Sequence, residues 1–252
     1  MKANVDKYFI SANAVDDISD SYYQKLEPVL QTIEAFTRNT NKVVYVVDYL
    51  KKNFLYSSDN IVELCGITKK EMLEMGYLFH SHYVPRDEQQ MLLELNKAGF
   101  EFYERLPKNE REGYSISYDF HVIKGERATM MHHDLTYLVT TSKGRVWLAL
   151  CTMSPSSSVT PGNIIMRKEG NHTIHEYDLT SHKWIERKLP KLNATEKIIL
   201  TRLMQGYTME DISKNMNISL NTLKASKRLL FGKLNVNNIS QAIAYCMNYK
   251  LL

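Results

Sequence analysis

The last sixty residues constrain the fold more than any other part of the chain. From Leu192 on, helical periodicity restarts four times, and each restart follows a residue suited to cap a helix. Asn193 is placed to cap a helix that carries Ile198, Ile199 and Leu203 inward and ends at Gly206. Thr208-Met209-Glu210-Asp211 starts a second, shorter helix with Ile212 and Met216 inward. Asn217-Ile218 makes a turn, and Ser219 caps a third helix reading LNTLKASKRLLFGKL. Asn237 or Asn238 caps a fourth, with Ala242, Ile243, Cys246 and Met247 on one stripe. Four short helices with a tight turn between the second and third have helix-turn-helix organisation.

Charge singles out the same region. Residues 190–252 hold nine Lys and Arg against three acids, whereas the remainder holds 23 against 25. Such an asymmetry points to an anionic partner. With Leu223, Leu230 and Leu234 facing the other helices, Asn221, Lys224, Ala225 and Arg228 fall on the opposite side of the third helix. Ala225 is small enough to let a groove approach the backbone, and Lys and Arg suit guanine edges and phosphates. Thr208, Ser219 and Thr222 stand at helix starts, where free amides suit phosphate oxygens. Lys227 completes the candidate DNA-binding set. A solvated basic face is the bland alternative, but it leaves the caps and the turn unexplained.

Residues 192–245 resemble the LuxR-type, or GerE-like, helix-turn-helix domain. The match runs through LNATEKIILTRLMQGYTMEDISKNMNISLNTLKASKRLLFGKLNV and on into SQAIAY. The resemblance implies phosphate-backbone contacts by Thr208 and Thr222 and groove contacts by Lys224, Ala225 and Arg228. It also implies dimerisation through the last helix, which here means Ala242, Ile243 and Cys246. Four positions depart from the family pattern. Asn193 stands where Thr is usual, Thr195 where Arg is usual, Lys227 where an apolar residue is usual, and Gly232 where Arg is usual. Lys227 is expected to run its stem along the core edge, and Gly232 to weaken the helix by about 1 kcal/mol.

The front of the chain has a different texture. Ile18, Tyr22, Leu26, Val29, Ile33 and Phe36 make one helical stripe over 17–38, broken by Pro28. That stripe suits a helix lying on its own domain and a dimer contact equally. KVVYVVDYLKKNFLYSS (42–58) reads as two strands joined by a turn at Lys51-Lys52-Asn53. Thr68 and Glu71 form a capping box, and Pro85 opens a helix near 85–105 with Asp87 and Glu88 in its first turn. Three long β-type runs follow, at 114–123, 128–141 and 145–153. Two strands, several helices and three antiparallel strands make an α+β layout with a five-stranded sheet. Residues 42–153 resemble a PAS domain in the opening hairpin, SDNIVELCGITKKEMLEMG, the VPRDEQ start of the long helix and the closing strands. Such a sheet can enclose a cavity. Tyr118, Phe120, Leu138, Trp147 and Leu150 are candidate walls, though strand alternation turns some of them away. A cavity filled by side chains, in a domain that only pairs protomers, is the equal alternative to ligand sensing.

The expected organisation is an N-terminal helical segment (1–40), a PAS-like domain (41–156), a linker with short β-strands (157–190) and the all-α helix-turn-helix domain (191–252). MSPSSSVTPGN supplies the linker composition. Other function classes find little support. Three scattered cysteines give neither a disulfide framework nor a metal spacing. No apolar run is long enough to span a bilayer, and MKANVDKYFIS lacks the apolar centre of a signal peptide. A cytoplasmic protein with no membrane partner is expected. His80-x-His82, His132-His133 and His172-x2-His175 are read as ordinary surface or edge histidines, with no metal and no cofactor expected. Cys65 in ELCGIT lacks the Asn-Cys-Arg setting that flavin photochemistry would need in a PAS relative. Asp48 with Asp16-Asp17 could be built into a phospho-acceptor site, but successive strands after residue 113 contradict a βαβα receiver. No catalytic motif is present, so no enzyme is expected. The sequence thus reads as a homodimeric, sequence-specific regulator of transcription acting on double-stranded DNA, with a possible small-molecule ligand in the PAS-like domain. A module resembling sigma region 4, or an adaptor, that meets promoter DNA only with RNA polymerase is the alternative.

Overall fold

The structure, a computed structural model, describes residues 5–15, 18–111, 113–156 and 158–252. Asp16 and Asp17 lie outside the described residues. The chain divides into two compact units, Met1–Arg187 and Lys188–Leu252.

In the first unit two single 3-10 turns, Val5–Tyr8 and Ser11–Asn13, precede α1 (Asp20–Gln24) and α2 (Glu27–Thr37). Pro28 sits in the first turn of α2, where its missing N–H costs nothing, so the helix restarts there. Strand β1 (Val43–Asp48) is a β-branched run buried at every position, a central strand covered on both faces. Lys52 takes a left-handed φ of 52° in the turn to β2 (Asn53–Ser57). Four helices follow: α3 (Ile61–Cys65), α4 (Lys69–Met75), α5 (Leu78–Tyr83) and α6 (Arg86–Arg105). Thr68 and Glu71 form the reciprocal cap of α4. Long strands β3 (Tyr114–Lys124), β4 (Arg127–Thr140) and β5 (Val146–Pro155) then close the expected five, in the order β2-β1-β5-β4-β3.

The sheet does not stop at five. β6 (Gly162–Lys168) pairs antiparallel with β3, and β7 (Thr173–Asp178) and β8 (Lys183–Lys188) extend it to eight strands. The reason is physical: β3 would otherwise present an open edge of unpaired amides. Ile164, Ile165 and Met166 are buried beside it, which a solvated connection could not provide. The 157–190 segment therefore lies within the first unit, apart from its last three residues.

The sheet has two apolar faces. On one, α3 to α6 and the inward residues of the strands form the main core, with Phe79, Phe120, Met72 and Ile61 fully enclosed. On the other, Leu26 and Ile33 of the N-terminal helices pack with Val44, Val46, Tyr56, Trp147 and Leu148. The stripe over 17–38 thus lies on its own domain at Leu26 and Ile33, while Tyr22 and Phe36 stay 57% and 58% exposed. Of the five candidate cavity walls, Tyr118 and Phe120 face the main core, and Leu138, Trp147 and Leu150 face the other side. Asp48 is committed to structure: it accepts from the Tyr23 hydroxyl at 2.7 Å and from the Leu50 and Lys51 amides at 2.9 and 3.1 Å.

The second unit is α7 (Ala194–Met204), α8 (Met209–Asn215), α9 (Leu220–Leu234) and α10 (Ile239–Asn248). Ile199, Leu200, Ile212, Leu223, Leu230, Leu234, Ala242 and Cys246 fill its core. α7 is rotated relative to the sequence reading. Leu200 is the buried partner of Ile199, Leu203 is half-buried and Ile198 is 46% exposed. Both Ile198 and Leu200 fit a helical stripe; contact with the other helices selects between them.

Candidate nucleic-acid interface

Every helix start in the second unit is fixed by its own side chain. Asn193 accepts from the Glu196 amide at 2.8 Å, while Glu196 accepts from the Asn193 amide at 2.7 Å. Thr208 accepts from the Asp211 amide at 3.2 Å and donates its hydroxyl to the Asp211 carboxylate at 2.6 Å. These bonds hold the Asp211 carboxyl below its ordinary range. Ser219 accepts from the Thr222 amide at 3.1 Å and shares a hydrogen bond with the Thr222 hydroxyl at 2.8 Å. Asn238, rather than Asn237, caps α10 through the Gln241 amide. Between α8 and α9, Asn217 turns the chain with a left-handed φ of 52°, and the Ser213 hydroxyl holds the Ile218 carbonyl at 2.6 Å. The caps and this turn set the angle at which α9 is presented.

α9 buries Leu223, Leu230 and Leu234 and exposes Asn221, Thr222, Lys224, Ala225 and Arg228. The exposed residues form two adjacent rows of i, i+4 spacing, Lys224–Arg228 and Asn221–Ala225. Three of the expected contact residues are engaged within the domain itself. Lys227 is half-buried, its ammonium 5.6 Å from the Phe231 ring centroid, so its stem follows the core edge. The hydroxyls of Thr208 and Ser219 are engaged in their caps, so these residues offer a phosphate chiefly the orphan amides of the first helical turns. Lys233 was not singled out from the sequence; it is drawn away to Glu196 at 2.7 Å. Burial works to raise the Glu196 carboxyl, but Lys233 and the Asn193 amide outweigh it and lower it.

The expected dimer stripe is corrected by burial. Ala242 and Cys246 are fully enclosed in the core of their own domain, so neither can meet a second copy. Ile243 is half-exposed, and Met247, outside the expected contact set, is 60% exposed on the same helix.

The first unit holds a second feature. A cavity of about 60 Å³ lies against the main face of the sheet, lined among others by Tyr8, Tyr45, His80, Tyr118, His133 and Cys151. His80 and His133 are buried, contrary to the reading of surface or edge histidines. α5 turns His80 inward against Tyr8, and β4 alternation sends His133 to the core and His132 to Asp119 at 2.8 Å. Desolvation pushes His80 down to about 4 and His133 to about 3, so both rings are neutral near pH 7. The Tyr45 hydroxyl and His133 Nε2 share a 2.7 Å hydrogen bond, and Nδ1 of each histidine ring has no hydrogen-bond partner among the described residues. His82 lies on the same helix as His80 but bonds the Leu78 carbonyl. Among the described residues no group of three or more His, Cys, Asp or Glu side chains could hold a metal ion, and no helix is long and apolar enough to cross a membrane.

Comparison with known proteins bears on both units. Residues 190–246 match the family described as bacterial regulatory proteins, luxR family (GerE). No curated protein matches the chain. Among solved structures, a phage VqmA in complex with DPO is 18% identical, with 93% of each chain covered and a TM-score of 0.33. The VqmA dimer of Vibrio cholerae is 17% identical over 88% of each chain, with a TM-score of 0.30. A PAS domain from Colwellia psychrerythraea covers 51% of this chain and 97% of its own at 14% identity, with a TM-score of 0.38. Superpositions this loose say nothing of what the chain binds. The matched caps, turn and exposed helix make the second unit a LuxR-type helix-turn-helix domain, carried behind a PAS-like α+β unit.

Proposed function

We propose that the protein is a sequence-specific DNA-binding regulator of transcription. One observation carries this: α9 exposes Asn221, Lys224, Ala225 and Arg228 along one face while Leu223, Leu230 and Leu234 are locked into the core. In a major groove, Lys224 and Arg228 would meet guanine edges and Asn221 an adenine edge. Thr222 and the first-turn amides at Thr208 and Ser219 would hold phosphates and set the register. A homodimer would present two such helices to a two-fold related site. Its contact would use Met247 and the exposed part of Ile243 rather than Ala242 or Cys246. Three free, buried thiols suit a reducing cytoplasm.

The PAS-like unit would sense a small compound. Two neutral imidazoles and several tyrosine hydroxyls around one apolar cavity suit an uncharged ligand that both donates and accepts hydrogen bonds, and would exclude a carboxylate or an ammonium. A ligand shifts DNA binding only if it favours one arrangement of the protein over another.

A mobility-shift assay with full-length protein, random-sequence duplexes and no polymerase tests the main reading. Retarded DNA that is enriched for one sequence over rounds of selection supports it. Binding that appears only when RNA polymerase is added selects the sigma-region-4-like or adaptor alternative.

A further inference from the structure

The row Asn221–Ala225 on α9 continues, one turn on, into Leu229. A lone exposed leucine means little on most surfaces. This one is 71% exposed, more than any other large apolar side chain of its unit. Its neighbours leave it uncovered. Ala225 precedes it by four residues, and Gly232, three residues on, has nothing within 4 Å of where a Cβ would stand. Lys233, four residues on, could have folded its stem over it, but its ammonium is held by both Glu196 oxygens at 2.7 and 2.9 Å. The parallel row carries Lys224 and Arg228, so the apolar row is continuous with the face that would meet DNA.

We infer that Leu229 and Ala225 form an apolar reader of thymine methyl groups on α9, beside Asn221, whose amide suits the adenine edge. The inference rests on α9 entering a major groove. In that groove the thymine C5 methyl is the one apolar group a base pair presents. Asn, Ala and Leu in one row therefore fit a run of A·T pairs, next to G·C pairs met by Lys224 and Arg228. The occupant of the apolar row is duplex DNA, given the cationic row alongside it; a second protein chain is an outcome the test exposes.

Selection from random duplexes with the full-length protein supplies the site. Each thymine of that site is then replaced singly by deoxyuridine, which keeps the base pair and removes only the methyl. One position per half-site should weaken the wild-type protein by about three- to five-fold, the worth of one buried methyl group. Leu229→Ala, at an exposed position, should bind the thymine and uracil sites alike. Selection that enriches no sequence overturns base reading altogether, and this inference with it. An enriched site at which no uracil matters overturns this inference and leaves base reading standing. So does a Leu229→Ala protein that still distinguishes thymine from uracil, or one whose only defect is in oligomeric state.

Discussion

The two units solve opposite problems with their polar residues. The first holds all eight histidines and both tryptophans, and it buries several of them. Asp48, Asp119, Glu88 and His133 lie inside it, each with hydrogen-bonded partners. The second has no histidine, a core of small and aliphatic side chains, and its cations on the surface. Chemistry that can respond to a ligand or to pH is therefore enclosed in one unit, and chemistry that can meet a polyanion is displayed by the other. The difference teaches that net charge describes this chain poorly, because what separates the units is which charges are enclosed.

The sharpest way to break the comparison is to damage one core and watch the other. Leu230 is fully buried in a unit of only some 65 residues, where a core leaves little stability in reserve. Leu230→Ala should cost about 2–5 kcal/mol and abolish DNA retardation. Both tryptophans lie in the first unit, so their fluorescence and its melting transition should stay unchanged. Loss of the tryptophan signal in the same variant would show that the units fold as one.

Acid should separate them in the other direction. His80 and His133 have folded values near 4 and 3, below their ordinary 6.5, so unfolding takes up protons. Stability from these groups is complete above about pH 6.5 and is lost as pH falls towards 4. At pH 5 each deficit amounts to about 2 kcal/mol of destabilisation. His132 acts at the opposite end. Burial opposes its charge, but hydrogen bonds to Asp119 and Asp134 prevail and raise it to about 9. Its contribution is present below about pH 6.5 and is lost as pH rises through 9. The second unit has no histidine, and its Glu196 and Asp211 carboxyls are held below their ordinary range. Between pH 6.5 and 5 tryptophan fluorescence should report loss of the first unit alone. Equal loss of helix signal from an isolated 188–252 fragment would refute the assignment.

The base-reading face gives a smaller effect with a sharper signature. Arg228→Ala and Lys224→Ala should each cost about 1–3 kcal/mol at one base pair and relax preference there. Thr222→Val should weaken all sequences evenly and leave the salt dependence unchanged, because a neutral hydroxyl releases no counterion. If Arg228→Ala loses affinity equally on random DNA, it holds a phosphate.

The second unit was largely legible in the sequence because its determinants are local. Caps at Asn193, Thr208 and Ser219 act over three residues, and the burial of Leu223, Leu230 and Leu234 follows from one period. What failed there was tertiary: Ile198 and Leu200 are both apolar, and only packing between helices decides which is enclosed. In the first unit the failures are all long-range. β6 joins β3 across more than forty residues, so the linker composition of 153–163 hid a strand that continues the sheet. His80 reads as one of a surface pair although α5 turns it against Tyr8, and no spacing rule reveals that it lines one cavity with His133. The exposure of Leu229 is legible in the sequence, since it follows from the same helical angle that exposes Ala225.

The smallest effect tests how closely α9 approaches its partner. Gly232 lies within the helix, its φ is not left-handed, and a methyl there would meet nothing within 4 Å. Gly232→Ala should therefore stabilise the second unit by about 1 kcal/mol through helix propensity. In a domain this small that is a rise of roughly 4–8 °C in Tm, measured by circular dichroism on fragment 188–252. The first unit should not respond. DNA affinity supplies the second readout, because Gly232 lies on the exposed side of α9. If the variant is more stable and binds equally well, the glycine is a local weakness with no role in recognition. If it is more stable and binds less tightly, the α9 backbone approaches the duplex at Gly232, one turn beyond Arg228 on the row that carries Lys224.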